Sequence, residues 1–296
     1  MGGVVRGAVR RAAVVATAVV GTFAWAAPAS AGGISAEIAD RVLTVTGTDQ
    51  ADTITVRCEA GDVTVNQAPP SGGPDTCREL RRIVVTAGGG ADVVNLGDVS
   101  RNAFEDLARV QVRGEEGPDR LVGSGFGDEL HGGGGVDELR GGEGPDEFKP
   151  GADAGRVSGG MGHDTVSMSG DDRWTAEDER ITRFTPAEVV TELAAVEEVV
   201  IEGGAGDNRI ATAAFSGRAT LIGGGGADRL TSGPGNDLLE GGEGKDQLVA
   251  GAGNDELRGG PGDDELRGGE GNDQLLGGGG DDVCLGGTGG DSFLSC

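Results

Sequence analysis

Aspartates recur at every ninth residue near the end of this chain. Eight consecutive nonapeptides run from Gly223 to Leu294 without a gap, and the sixth residue of each is aspartate. These residues are Asp228, Asp237, Asp246, Asp255, Asp264, Asp273, Asp282 and Asp291. Carboxylates are oxygen donors that a hard divalent cation prefers. A fixed interval would place them at equivalent points of a repeating backbone, which makes them candidate metal ligands.

Two further positions of the nonapeptide are equally regular. The fourth residue is glycine in every unit: Gly226, Gly235, Gly244, Gly253, Gly262, Gly271, Gly280 and Gly289. The eighth is always apolar: Leu230, Leu239, Leu248, Leu257, Leu266, Leu275, Cys284 and Phe293. Glycine permits left-handed backbone, so the first six residues can form a tight turn. The last three would then be extended, with the middle side chain pointing inward.

Two such units would complete one coil of a solenoid. Coils would stack at the strand spacing of ~4.8 Å, which aligns the aspartates of successive coils. Like charges at that distance repel by roughly 3–4 kcal/mol at an effective dielectric of ~20. We therefore expect the array to be largely disordered without a cation.

A second, less regular array runs from Gly114 to Ser167. Its sixth-position aspartates are Asp119, Asp128, Asp137, Asp146 and Asp164. It departs from the pattern twice, with Phe126 in place of the fourth-position glycine and Gly155 in place of an aspartate. Stacking would pair Asp119 with Asp137, Asp128 with Asp146 and Asp146 with Asp164, whereas Gly155 would leave Asp137 without its next partner.

The repeated unit resembles the G-G-x-G-x-D-x-U-x nonapeptide of the RTX (repeats-in-toxin) proteins. The resemblance implies an all-β fold, a right-handed parallel β-roll or β-solenoid, that binds several Ca²⁺ ions between stacked turns. It also implies that a site joins the aspartate of one unit to the unit two ahead, so that the eight units would form about six sites. Backbone carbonyls of the glycine turns would complete the coordination, around Gly226, Gly235, Gly244, Gly253, Gly262, Gly271 and Gly280. Calcium suits this flexible, all-oxygen donor set better than Mg²⁺ or Zn²⁺.

Some units favour a scaffolding role instead. An aspartate can hydrogen-bond its own turn without binding a metal. We expect this of Asp52 and Asp92, which occupy the sixth position of isolated units at 47–55 and 87–95. A third outlying unit, 203–211, has Asn208 at that position.

The repeats divide the chain into five segments. We predict a signal peptide at 1–31, a β-rich region with degenerate repeats at 32–112, and the first array at 113–167. An insert at 168–202 and the second array at 203–296 follow. A helix over about 186–195 is predicted within the insert, because Thr185-Pro186-Ala187-Glu188 places an N-cap before a proline and a glutamate.

The first segment has the features of a secretory signal. Three arginines precede an apolar run from Ala12 to Ala26, and Ala29-Ser30-Ala31 fits a cleavage site after Ala31. No later stretch is apolar enough to span a bilayer, which predicts a soluble extracellular protein. Four cysteines in such a chain suggest two disulfides. Sequential pairing, Cys58 with Cys77 and Cys284 with Cys296, is the simplest of three connectivities, and free buried thiols are the alternative.

Composition excludes several functions. The net charge of −26 argues against nucleic-acid binding, which needs basic side chains. Neither H-E-x-x-H nor G-x-S-x-G occurs, so we expect no protease or lipase centre. The interpretation is a secreted, non-enzymatic, calcium-binding protein with a structural or adhesive role, whose partners stay unknown. The alternative is a secreted hydrolase with an unusual active site in 32–112 or 168–202.

Overall fold

The structure is a computed structural model that describes residues 33–72, 76–153, 155–184 and 188–296. The predicted signal peptide and cleavage site lie outside these residues. Within the described ranges the chain forms 27 strands, β1 to β27, and no helix. No segment within these ranges forms a helix that is long and apolar enough to cross a bilayer.

The strands form two sheets. In spatial order, the thirteen-stranded sheet contains β1 (Ser35–Ala39), β2 (Val42–Thr46), β5 (Arg82–Gly89), β7 (Arg109–Glu116), β9 (Asp128–Gly134), β11 (Glu147–Lys149), β13 (Thr165–Ser169), β17 (Glu198–Glu202), β19 (Arg218–Gly225), β21 (Leu238–Glu243), β23 (Glu256–Pro261), β25 (Gln274–Gly279) and β27 (Ser292–Leu294).

The fourteen-stranded sheet faces it across the core. Its spatial order is β4 (Asp62–Val65), β3 (Thr53–Glu59), β6 (Val93–Asn95), β8 (Arg120–Val122), β10 (Glu138–Glu143), β12 (Gly155–Met161), β16 (Glu188–Ala194), β15 (Arg180–Phe184), β14 (Arg173–Glu177), β18 (Arg209–Ala214), β20 (Arg229–Thr231), β22 (Gln247–Val249), β24 (Glu265–Glu270) and β26 (Val283–Thr288).

Successive nonapeptides alternate between the sheets, so each pair of units makes one coil of a parallel β-roll. Parallel partners in the arrays lie eighteen residues apart, as in Leu239 with Leu257 and Leu248 with Leu266. This register confirms the predicted fold of two units per coil. Antiparallel hairpins, β1–β2 and β3–β4, occupy the N-terminal end of each sheet.

The core is a ladder of eighth-position side chains between the sheets. Leu121, Leu139, Leu230 and Leu257 are fully buried, as are most of their equivalents. Each layer of apolar side chains packs on the next, which is how a solenoid builds a continuous core from units too small to fold alone. The ladder ends at Phe293, which is 52% exposed because no further coil covers it.

The predicted helix at 186–195 is wrong for the residues described there. Residues 188–194 form strand β16, which pairs in parallel with β12 and antiparallel with β15. The alternation of buried and exposed side chains favours a strand over a helix, since Thr191 and Leu193 point inward from a β-branched segment. The insert is thus a three-stranded meander, β14–β15–β16, which adds two strands to the fourteen-stranded sheet.

Both disulfides pair in sequence order, Cys58 with Cys77 and Cys284 with Cys296. The first links strand β3 to the loop after β4. The second ties the C-terminal residue to β26. The alternative of free buried thiols is therefore wrong for all four cysteines.

Candidate metal centres

The repeat aspartates form two columns along the roll. Each lies at the start of its strand, and parallel stacking places it beside the aspartate of the next coil wherever that coil has one. Column I precedes strands of the fourteen-stranded sheet and contains Asp52, Asp92, Asp119, Asp137, Asp228, Asp246, Asp264 and Asp282. Column II precedes strands of the thirteen-stranded sheet and contains Asp128, Asp146, Asp164, Asp237, Asp255, Asp273 and Asp291.

Backbone hydrogen bonds hold the carboxylates in these columns. The N–H of Asp246 donates to Oδ1 of Asp264 at 2.8 Å. The same bond joins Asp237 to Asp255 at 2.8 Å and Asp119 to Asp137 at 2.9 Å. In every column member except Asp52 and Asp128, one carboxylate oxygen is thus engaged by the preceding coil.

The second carboxylate oxygen has no partner. Oδ2 is buried and accepts no hydrogen bond in Asp92, Asp119, Asp137, Asp146, Asp164, Asp228, Asp237, Asp246, Asp255, Asp264 and Asp273. Leaving one buried acceptor unsatisfied costs about 1–3 kcal/mol, and more when it is charged. A row of such atoms in a native fold indicates a partner that the protein atoms do not supply.

In most units a glycine at the first position opens the space beside this oxygen, whereas Ser232 and Ala250 occupy that position in the units of Asp237 and Asp255. A Cβ on Gly259 would lie 2.4 Å from Oδ2 of Asp264 and 2.4 Å from the carbonyl oxygen of Gly277 in the next coil. Gly223 borders Oδ2 of Asp228 and the Gly241 carbonyl in the same way. The space that a side chain would fill is therefore lined by a carboxylate and a carbonyl oxygen from stacked turns.

The donor set fits calcium. Among the described residues, no group of three or more His, Cys, Asp and Glu side chains clusters to hold a metal. Coordination here would depend on one carboxylate supplemented by backbone carbonyls, which Ca²⁺ accepts in its flexible oxygen shell. Zinc would require the nitrogen and sulfur ligands that these turns lack.

The fourth-position glycines bring the turns into close contact. Gly226, Gly235, Gly244, Gly253, Gly262, Gly271 and Gly280 all have positive φ. A Cβ on Gly244 would lie 1.7 Å from the carbonyl oxygen of Gly226, so only glycine allows the coils to stack this closely. Its N–H also donates to the Pro261 carbonyl at 2.9 Å, which continues the ladder through the turn.

Burial shifts the protonation of the columns. Desolvation raises the pKa of Asp119 to about 6, of Asp137 to about 7 and of Asp146 to about 8. In the second array it raises the pKa of Asp246 and Asp255 to about 6. Neighbouring carboxylates of the same column raise it further, and the backbone hydrogen bond lowers it. Near neutral pH the folded columns therefore bind protons more readily than exposed aspartates do.

Three predicted ligands differ in geometry from the rest. Asp128 accepts hydrogen bonds from the backbone N–H of Ser124 at 2.6 Å and from its hydroxyl at 2.7 Å, so both of its oxygens are engaged. Asp282 and Asp291 are partly exposed in the last coil. The Ser295 carbonyl still faces Asp282, whereas no carbonyl from a following coil lies beside Gly286 and Asp291.

The break at Gly155 is local. Asp153, two residues earlier, accepts a hydrogen bond from the N–H of Gly135 at 2.9 Å. The Pro150 carbonyl still faces Oδ2 of Asp137 across Gly132. Asp137 therefore keeps its oxygen-lined space, and the missing carboxylate affects only the next position of column I.

Asp92 belongs to column I, although the sequence favoured a scaffolding role. It is buried, its Oδ2 has no partner, and its N–H donates to Oδ1 of Asp119 at 2.8 Å. The signal for it was present in Gly88 and Gly90, which have positive φ at the second and fourth positions of its unit. Asp52 differs, because Thr48 donates its N–H and hydroxyl to Oδ2 of Asp52 at 2.6 and 2.9 Å.

Comparison with known proteins agrees with this geometry. A family model for the RTX calcium-binding nonapeptide repeat, spanning four copies, matches residues 113–148, 222–257 and 258–293. No curated protein matches the chain. The matched segments cover most of both columns. This chain therefore carries RTX calcium-binding nonapeptide repeats over 113–148 and 222–293.

Proposed function

We propose that this chain is a secreted, non-catalytic protein whose β-roll is completed by several Ca²⁺ ions held between stacked turns. The observation that carries the proposal is the row of buried carboxylate oxygens without partners. The sixth-position aspartates would hold the ions together with first-position carbonyls of the next coil. Bound calcium would supply the positive charge that a buried carboxylate otherwise lacks.

Ion binding would be coupled to folding through both columns. Each unit buries about one apolar side chain, worth roughly 1.5–3 kcal/mol. Ordering nine residues costs roughly 11–18 kcal/mol, and each ladder hydrogen bond returns only ~0.5–1.5 kcal/mol. The repulsion between stacked aspartates is added to that cost. Because the unfolded chain lacks a preformed site, the binding free energy becomes folding free energy.

An extracellular location agrees with the chemistry. The Cys58–Cys77 and Cys284–Cys296 disulfides need an oxidising compartment. Extracellular calcium modules bind at roughly 10⁻⁴–10⁻³ M, and proteins in such surroundings can stay loaded at that affinity. The rigid, elongated stack that results suits a structural or adhesive role, with its outer sheet faces available to a partner.

Circular dichroism of the full chain tests the proposal. In chelator the strand signal should fall to that of a mostly disordered chain, and millimolar Ca²⁺ should restore it while the same concentration of Mg²⁺ should not. A strand signal that chelator leaves unchanged would refute the coupling of binding to folding.

A further inference from the structure

Asn208 occupies a column I position where the insert meets the second array. It is buried and occupies the position of aspartate in its unit, and its N–H donates to Oδ1 of Asp228 at 2.7 Å. Its backbone therefore belongs to the column. Its side chain brings an amide nitrogen to the place where the other units have an unpartnered oxygen.

The amide contacts the same kind of space that the aspartates line. A Cβ on Gly203 would lie 2.3 Å from the Gly223 carbonyl oxygen and 2.8 Å from Nδ2 of Asn208. Nδ2 donates to the Gly206 carbonyl at 2.6 Å and lies 3.5 Å from the Gly223 carbonyl. These neighbours are acceptors, so they fix the amide with its NH₂ group toward the carbonyls. A hydrogen-bond donor thus takes the role of a cation.

Side chains of the insert also accept hydrogen bonds from backbone amides close to Asn208. Asp171 accepts a hydrogen bond from the N–H of Gly206 at 2.9 Å. Asp178 accepts one from the N–H of Ser216 at 2.6 Å. Both carboxylates come from the insert and cap amides of the following coil. Here the turns are held by protein atoms alone.

This region has an apolar core of larger side chains than the arrays. Trp174, Ile181, Ile210 and Phe215 are almost fully buried there. The Arg183 guanidinium lies 5.4 Å from the ring centroid of Trp174 and pairs with Asp172 at 2.5 Å. Buried aromatic side chains contribute more area per residue than the single leucine of each repeat.

We propose that Asn208 replaces a calcium ion, so that residues 173–215 form a calcium-independent island between the calcium-dependent repeats of 113–167 and 223–294. The inference rests on the proposed function, because it supposes that the flanking columns need the ion. Asn208 is then the residue that decides whether this coil binds calcium. In low calcium the arrays would unfold while the island stays folded.

Fluorescence of Trp174 tests the island directly. The chain has two tryptophans, Trp25 and Trp174, so a full-length Trp25→Phe variant reports on the insert alone. In chelator we expect the far-ultraviolet strand signal to fall while the Trp174 emission keeps the short wavelength of a buried indole. Red-shifted emission that accompanies the loss of strand would overturn the island.

Substitution of Asn208 tests the ion replacement. Asn208→Asp should raise the number of bound Ca²⁺ ions by one in a calorimetric titration of the full chain. Asn236→Asp is the matched control, because Asn236 lies one position earlier in its turn and accepts a bond from the N–H of Asn254 on the exposed side. It adds the same charge and should leave the ion count unchanged.

A third variant tests the inference even if the Asn208→Asp chain does not fold. Asn208→Ala removes the donor, so it should keep the ion count but lose the buried Trp174 emission in chelator. An Asn208→Asp chain that folds with no extra ion, or an Asn208→Ala island that resists chelator as before, would overturn the inference while the proposed function stands. A parent chain that binds no calcium would overturn both.

Discussion

The two arrays use one repeat with different regularity. In the eight consecutive units of the second array, 223–294, every unit keeps its aspartate, and the carboxylates of both columns follow one another without interruption. In the first array, Ser124 caps Asp128 and Gly155 removes a carboxylate. A continuous column of unpartnered carboxylates thus depends on consecutive coils, and a single hydroxyl or a missing carboxylate changes it at one coil.

We expect the largest difference in stability from substitutions that disturb the contacts between stacked turns. Gly244→Ala should destabilise the chain by about 3 kcal/mol, since its φ is +131° and its Cβ would lie 1.7 Å from the Gly226 carbonyl. Gly144→Ala in the first array should cost less, because its closest contacts, to Phe126, are 2.6 Å. Urea unfolding in saturating calcium measures both.

Gly279→Ala is the control for these variants. A Cβ there meets nothing within 4 Å, and the residue has no positive φ. It should change the unfolding free energy by less than about 0.5 kcal/mol. Equal losses from Gly144→Ala and Gly244→Ala would contradict the looser contact between Gly144 and Phe126.

Carboxylate substitutions should separate an ion-binding aspartate from a capped one. Asp264→Asn should lower the number of bound Ca²⁺ ions and destabilise the neighbouring coils, since Oδ2 of Asp264 has no protein donor. Asp128→Asn should leave the count unchanged, because Ser124 already engages that carboxylate. Calorimetric titration gives both counts.

Asp263→Asn controls for the lost charge beside Asp264. Asp263 lies one residue earlier, and its Oδ1 accepts a bond from the N–H of Asp281 on the exposed side at 3.0 Å. The Asp263→Asn chain should bind as many Ca²⁺ ions as the parent chain does. Loss of an ion in Asp128→Asn would mean that Ser124 does not exempt its coil.

A change of pH should also distinguish coils of the two arrays, although with a smaller effect. Burial raises the pKa of Asp137 to about 7 and of Asp146 to about 8 from the ordinary 3.8, against about 6 for Asp246 and Asp255. A raised pKa stabilises the folded state fully below pH 3.8, and that stability is lost as pH rises through the folded-state value. Protons would thus partly replace calcium.

The chelated chain should therefore gain strand signal as pH is lowered from 8 to 5. The coils that hold Asp137 and Asp146 should respond at higher pH than those that hold Asp246 and Asp255, which hydrogen exchange of these coils resolves. If strand content in chelator does not depend on pH, the burial of the carboxylates in the calcium-free fold is contradicted.

The repeats made most of the fold predictable. Register, coil length and inward leucines follow from the nine-residue period, because the same local choice is made in every unit. Segments without the nine-residue repeat do not have this repeated local signal, so their structure was harder to predict. The cap signal at Thr185-Pro186 suggested a helix, but pairing with β12 and the inward alternation of Thr191 and Leu193 made residues 188–194 a strand.

The site was less predictable than the fold. Sequence spacing identified the columns but did not show that Ser124 would cap Asp128, or that Asp171 would hold Gly206 from 35 residues away. The sequence also did not show that Asp92 stacks beside Asp119, because its unit stands alone in the sequence. These contacts depend on which coils become neighbours, and spacing within one unit does not contain that information.

A titration of the full chain with Ca²⁺ and, separately, with Mg²⁺ tests the central claim most directly. We expect several calcium ions to bind and the strand signal to rise with their binding, and we expect magnesium at the same concentration to reproduce neither effect. Ordered strands without calcium uptake, or an equal response to magnesium, would contradict it.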